Sequence, residues 1–133
     1  RARGRLLEAG TSRPSMLVQM ANGNVEAVTT QMVGQANVAG DPIAHETLQE
    51  TADLLTLWLG NMVDVLDPEA IIFGGGATAV LLPFFPTMRA RLPQFCVNPR
   101  AGEIGLFPAH YGADSGIAGG AALCYEIPSR SSQ

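Results

Sequence analysis

The sequence predicts an α/β protein whose strands pair in parallel, and three observations carry that expectation. Ala70-Ile71-Ile72-Phe73 is a short, β-branched apolar run, the length of a buried strand and too short for a helix. It enters Gly74-Gly75-Gly76 and then a helical stretch, Leu81 to Leu92, before a second apolar run from Gly102 to Ala109 with Ile104, Leu106 and Phe107. Ahead of both lies a long amphipathic pattern. Strand, crossover helix, strand is a βαβ unit, which places its strands side by side in parallel. A single unit leaves open edges, so the expected sheet is incomplete, with further strands expected in polypeptide outside these 133 residues.

From the start, Arg1 to Gly10 is weakly helical, with Gly10 as a stop. It reads as the middle of a helix, because no capping residue stands ahead of it; the chain is therefore expected to be a piece of something longer. Thr11-Ser12-Arg13-Pro14 caps and opens a short helix through Met20, and Asn22-Gly23-Asn24 is turn chemistry. Thr29 or Thr30 caps a helix from Gln31 to Ala39 that stops at Gly40. Asp41 is then an N-cap and Pro42 a first helical residue. The next helix carries Ala44, Leu48, Thr51, Leu55, Trp58/Leu59, Met62 and Leu66 at three- and four-residue steps. It spans roughly 36 Å at about 1.5 Å per residue and closes at Asp67-Pro68.

Beyond the strand and the glycines, Pro83 is tolerable in the first turns of the Leu81–Leu92 helix, Pro86 distorts it and Pro93 ends it. Cys96-Val97 reads as a short strand. Asp114 or Ser115 caps a last helix of small residues, Gly116 to about Glu126, and residues 127–133 read as a frayed tail.

Composition bounds the function. Hydrophobic residues make up 47 % and charged residues 15 %, with a mean hydropathy of +0.16, so the chain can bury a core. So little charge suggests a surface meant to be covered. All eight basic residues are arginine against twelve acidic ones, giving net −4 and a pI near 5.0. That is no footprint for nucleic acid. Cys96 and Cys124 have neither zinc-knuckle nor disulfide-framework spacing and read as two buried thiols in a reducing cytoplasm. No signal peptide or membrane-length apolar run occurs, so a cytoplasmic protein is expected.

Two glycine-rich places could hold a ligand. Gly74-Gly75-Gly76 lies between strand and helix, where missing Cβ atoms let a flat ligand approach and where α/β folds collect ligands. The following helix would offer its N–H groups there. Spacing alone leaves a bare turn equally good, since neither common phosphate-loop pattern is met. Gly112 and Gly116, in Tyr111-Gly112-Ala113-Asp114-Ser115-Gly116, could border a nucleotide. Gly119 and Gly120, costing about 1 kcal/mol each in a helix, fit close helix packing better. His45 and His110 lack metal-ligand spacing. A Ser115, His110, Asp114 set lacks the nucleophile elbow, so no catalytic residue is assigned. Met88-Arg89-Ala90-Arg91 reads as a solvated helix end.

Three stretches together carry a resemblance. They are Ala39-Gly40-Asp41-Pro42-x-Ala44; Asn61 followed by Val65-Leu66-Asp67-Pro68-Glu69-x-Ile71-Ile72-x-Gly74-Gly75-Gly76; and Tyr111-Gly112-x-Asp114-x-Gly116-x-x-Gly119-x-Ala121-Ala122. In this order they resemble the C-terminal part of the ROK family of bacterial sugar kinases and repressors, over roughly residues 28 to 126. The resemblance implies the C-terminal lobe of an actin-like (ribonuclease H-like) ATPase fold, in which two α/β lobes close around ATP and a sugar. It implies that Gly74, Gly75 and Gly76 lie against the adenosine of ATP and that Gly112 and Gly116 border the same cleft. It also implies a dimer contact through this lobe.

The family's Asp-x-Gly-x-Thr phosphate loop, its Asn-Asp pair with the general-base aspartate and its His-and-cysteine zinc motif have no match in this sequence. ATP, Mg²⁺, a hexose and any zinc would thus belong to a parent protein, and the 133-residue chain by itself is expected to be inactive. An ATP-dependent hexose kinase is the leading expectation. The effector-binding half of a sugar-responsive repressor is the alternative, and a bare association or folding unit the third.

Overall fold

The computed structural model describes residues 1–9 and 14–126. Helices α1 (Ala2–Ala9), α2 (Met16–Met20), α3 (Thr30–Val38) and α4 (Pro42–Leu66) come first, with a 3₁₀ turn at Val25–Ala27. Then follow β1 (Ala70–Phe73), α5 (Thr78–Leu81), α6 (Phe85–Arg91), β2 (Gly105–Pro108) and α7 (Ser115–Glu126). Further 3₁₀ turns occupy Leu82–Phe84, Leu92–Phe95 and Gly112–Asp114. The expected stop at Gly10, the caps Thr11 to Arg13 and the frayed tail 127–133 lie outside the described residues.

Asp41 shows why the chain turns into α4 where it does. Its Oδ1 accepts from Ala44 N at 2.9 Å, capping the helix as its sequence position predicts. Its Oδ2 accepts from the Ser15 hydroxyl at 2.8 Å and from Met16 N at 2.6 Å. One buried carboxylate thus joins the starts of α2 and α4. Ser15, rather than the residues before it, caps α2, accepting from Leu17 N. Thr29 caps α3 through Met32 N.

The core gathers around α4. Ile43, Ala44, Leu48, Ala52, Leu59 and Val63 are buried on it, against Leu6 of α1, Val33 and Ala36 of α3, Met88 of α6 and Leu92. Trp58 and Leu66, which the sequence spacing counts on the apolar stripe, are 55 % and 67 % exposed. The buried stripe is turned toward small residues because backbones approach there: a Cβ on Gly60 would stand 2.5 Å from the Phe95 carbonyl oxygen. Thr47 and Thr56 are buried, and each donates its hydroxyl to a carbonyl one turn back.

The expected single helix from Leu81 to Leu92 is four short pieces beginning at Thr78. Pro83, Pro86 and Pro93 each stand in the first positions of a piece, where a missing N–H breaks no bond. Cys96-Val97 forms no strand. Instead Val97 N and Asn98 N both donate to the Asp64 carboxylate. The second strand is trimmed to Gly105–Pro108, with Ala101 to Glu103 in a turn.

β1 and β2 pair in parallel, Ala70 with Gly105 through Phe73 with Pro108, which is the α/β expectation met. The strand is not buried as expected, however: Ile72 is 69 % and Phe107 53 % exposed. Phe73 and Phe85 pack their rings 4.6 Å apart, whereas Ile72 is left largely open by the described residues around this two-stranded sheet. The thiols are also more open than expected, Cys96 half-buried and Cys124 exposed. Burial and the nearby Asp64 charge push the Cys96 thiol up from its ordinary value.

Candidate functional site

Register decides what the two glycine segments can do. Phe73 lies opposite Pro108, and Ala109 N continues the ladder by donating to the Phe73 carbonyl at 2.7 Å. The strands therefore end together. Gly74 leaves one and His110 the other, at the carboxyl edge where α/β folds bind ligands. A Cβ on Gly74 would lie 3.8 Å from that of Ala109, so the two exits touch.

Beyond them the ground is open. Gly75 has φ +100° and Gly112 φ +52°, backbone that disfavours a side chain. Among the described residues, apart from the adjoining residues and the helix's own backbone, no atom lies within 4 Å of where a Cβ would stand on Gly75, Gly76, Gly112 or Gly116. Thr78 N closes the first turn onto the Gly75 carbonyl at 3.1 Å, and Gly112 N closes the second onto Ala109 at 3.1 Å. The structure thus brings Gly74, Gly75 and Gly76 beside the segment leading to Gly112 and Gly116. The helix after the glycine turn has only four residues, Thr78 to Leu81, so it lends the turn far less dipole than the sequence suggests.

The other sequence candidates form no catalytic set. Ser115 donates its hydroxyl to the Gly112 carbonyl at 2.8 Å and, with Asp114 in the preceding 3₁₀ turn, starts α7. His45 is exposed and shares a 3.0 Å bond with Asn37. His110 meets Tyr111 edge-on with ring centroids 4.9 Å apart, and Tyr111 is 62 % exposed on the rim. Arg91 is less solvated than expected, pairing with Asp53 and lying over the Phe95 ring. Among the described residues no three His, Cys, Asp or Glu side chains gather closely enough for a metal ion. No described helix is long and apolar enough to cross a membrane.

Gly119 and Gly120 were expected in a close helix contact. Among the described residues nothing outside their own helix comes within 4 Å of their Cβ positions, and Ile117 and Leu123 on the same helix are 76 % and 64 % exposed. Sequence reading also missed a groove of about 470 Å³ that Ala77 borders together with Val33, Thr47, Leu48, Val80 and Leu81. Its walls come from separate elements, so no local pattern announces it.

The sequence model of the ROK family matches residues 4–127. The chain belongs to the ROK family. This ROK chain is 33 % identical over 101 residues to the N-acetyl-D-glucosamine kinase of Pasteurella multocida, an alignment covering 74 % of the chain and 32 % of that protein. It is 31 % identical over 84 residues to the N-acetyl-D-glucosamine kinase of Salmonella typhi, covering 63 % and 27 %. Its fold matches that of a ROK family glucokinase from Streptomyces griseus in complex with glucose and AMPPNP, with a TM-score of 0.77. That alignment, at 22 % identity, covers 92 % of the chain and 39 % of the glucokinase. The chain thus spans about a third of the length of the curated relatives it matches, and its α/β architecture is that of the actin-like ATPase fold of ROK sugar kinases.

Proposed function

We propose that the chain is the C-terminal, nucleotide-side lobe of an ATP-dependent hexose kinase, with the adenosine of ATP resting on Gly74, Gly75 and Gly76 and bordered by Gly112 and Gly116. The observation that carries this reading is the paired exit of the two glycine segments from neighbouring parallel strands, with space left open by the described residues at every Cβ position but that of Gly74. Bare backbone of this kind accepts a flat purine, and it is a cradle that a side chain would fill. The names of the relatives supply the substrate class, a hexose or N-acetylhexosamine. When bound, ATP supplies the phosphoryl group, and the chain's own part is to hold the nucleoside end and keep it oriented.

Phosphoryl transfer needs a phosphate loop, a base and Mg²⁺ ligands around the reacting oxygens. This sequence contains none of the family motifs for these, so the lobe alone is inactive, and Mg²⁺, zinc and the sugar contacts belong to the rest of a parent protein. The exposed apolar residues Ile72, Phe107, Ile117 and Leu123 are then the ground on which that remainder packs. The outer face of α4, with Leu54, Leu57 and Trp58 exposed, is the homodimer contact, and the protein works in the cytoplasm.

The test is a calorimetric titration of MgATP into the chain and into Gly76→Leu. Gly76 has open space and no left-handed backbone to strain, so the variant keeps its melting temperature while the leucine fills the adenosine floor. Binding weaker by about tenfold or more is expected; equal binding would reduce the glycines to a bare turn. In a coupled assay, turnover of glucose or N-acetylglucosamine by this chain alone would refute the inactivity.

A further inference from the structure

Five asparagines occur in the chain, Asn22, Asn24, Asn37, Asn61 and Asn98, and only Asn22 is followed by glycine. Without a side chain on Gly23, its backbone nitrogen can swing freely onto the Asn22 side-chain carbonyl carbon. The same approach is crowded by Val25, Val38 or Met62 at three other sites, and Pro99 has no N–H to lose at the fourth. Asn22 is exposed and takes a left-handed φ of +50°, followed by +78° at Gly23. Its N–H donates to the Gln19 carbonyl at 3.0 Å, and Gly23 N–H donates to Val18 at 2.8 Å. These are the two bonds of a Schellman motif closing α2.

We propose that Asn22 is a site of spontaneous deamidation gated by this helix cap. While α2 is closed, the nitrogen that must attack is engaged with Val18, and the left-handed backbone is fixed by both bonds. Once the cap opens, Gly23 N loses its proton and bonds to Asn22 Cγ. The Cγ–Nδ2 bond breaks, and ammonia leaves a five-membered succinimide. Water then adds to either ring carbonyl and opens the ring to aspartate or isoaspartate, with no redox change. Isoaspartate carries the main chain through Cβ and Cγ, so the added backbone atom moves Gly23 N–H away from Val18 and prevents that capping bond from reforming. The consequence travels, because α2 buries Leu17 and its start, through Ser15 and Met16, holds Asp41 at the head of α4.

This modification is independent of nucleotide binding. The chain is aged in mildly alkaline buffer, native and in concentrated urea, with peptide mass mapping and enzymatic methylation of isoaspartate as readouts. In urea Asn22 converts before the other four asparagines, and Gly23→Ala slows it. The native chain converts more slowly by about tenfold or more, the protection expected of a closed cap, and Ser15→Ala, which removes the α2 N-cap, narrows that gap. Conversion of another asparagine first in urea would overturn the site. Equal rates in native and unfolded chain would overturn the gate.

Discussion

Replacing Asp41 with alanine removes the joint between α2 and α4, and the structure sets its cost. Three donors lose their acceptor: Ala44 N, the Ser15 hydroxyl and Met16 N. Asp41 itself is only 3 % exposed and Ser15 9 %, so water cannot easily replace the carboxylate at either side. Losing an N-cap costs about 1 kcal/mol, and each buried donor left unsatisfied about 1–3 kcal/mol. Met16 is partly exposed and its amide can find water, which leaves the cap and the Ser15 hydroxyl and an expected loss of about 2–4 kcal/mol. Against a total stability of about 5–15 kcal/mol, that is a large fraction. Asp41→Asn keeps an oxygen for Ala44 N but turns an amide toward two donors, so it falls between, at about 1–2 kcal/mol. Urea unfolding followed by circular dichroism reads the difference as a lower midpoint at unchanged slope. If Asp41→Ala unfolds within about 0.5 kcal/mol of the wild type, or Asp41→Asn is the worse variant, the carboxylate does not hold the two helix starts together.

Gly60→Ala places a methyl 2.5 Å from the Phe95 carbonyl oxygen and 2.8 Å from its Cβ; backbone cannot yield, so a loss of about 1–3 kcal/mol is expected by thermal melting. At Gly34 the contact is the end of the Val80 side chain, which can turn, and Gly34→Ala is expected to cost less than Gly60→Ala in the same experiment. The hydrogen bond from Arg5 holds Glu50 below the usual carboxylate range. The stability from that pair is therefore complete at neutral pH and is lost as pH falls through the lowered folded-state value; Glu50→Gln flattens the acid limb of a stability–pH profile. A neutral-pH thiol titration labels exposed Cys124 first, since Cys96 is half-buried with its thiol pushed up by burial and Asp64.

The helix caps were the most legible part of the fold. Thr29, Asp41 with Pro42, and the Asp67-Pro68 close are local chemistry, and each is where its sequence position predicts. The strand 70–73, its parallel partner and the two glycine segments follow from hydrophobic runs and breakers within a few residues of one another. Less legible were features decided by distant neighbours. Cys96-Val97 has strand-forming residues, yet Asp64, more than thirty positions earlier, takes its N–H groups. Three prolines divide one periodic stretch into pieces, because each can start a helical turn more cheaply than sit inside one.

By itself, then, the sequence determined the local events: which residues cap, which turn, which run is too short to be a helix, and which glycines lie between strand and helix. These depend on hydrogen bonds and dihedral limits reaching only a few residues along the chain. The tertiary structure alone decided the rest. It set the register that ends both strands together, the rotation of α4 that buries Ala52 and Gly60 and exposes Trp58, and the nakedness of Ile72 and α7. Those depend on which surfaces meet across long separations in sequence, and burial is a property of the pair of surfaces rather than of either segment.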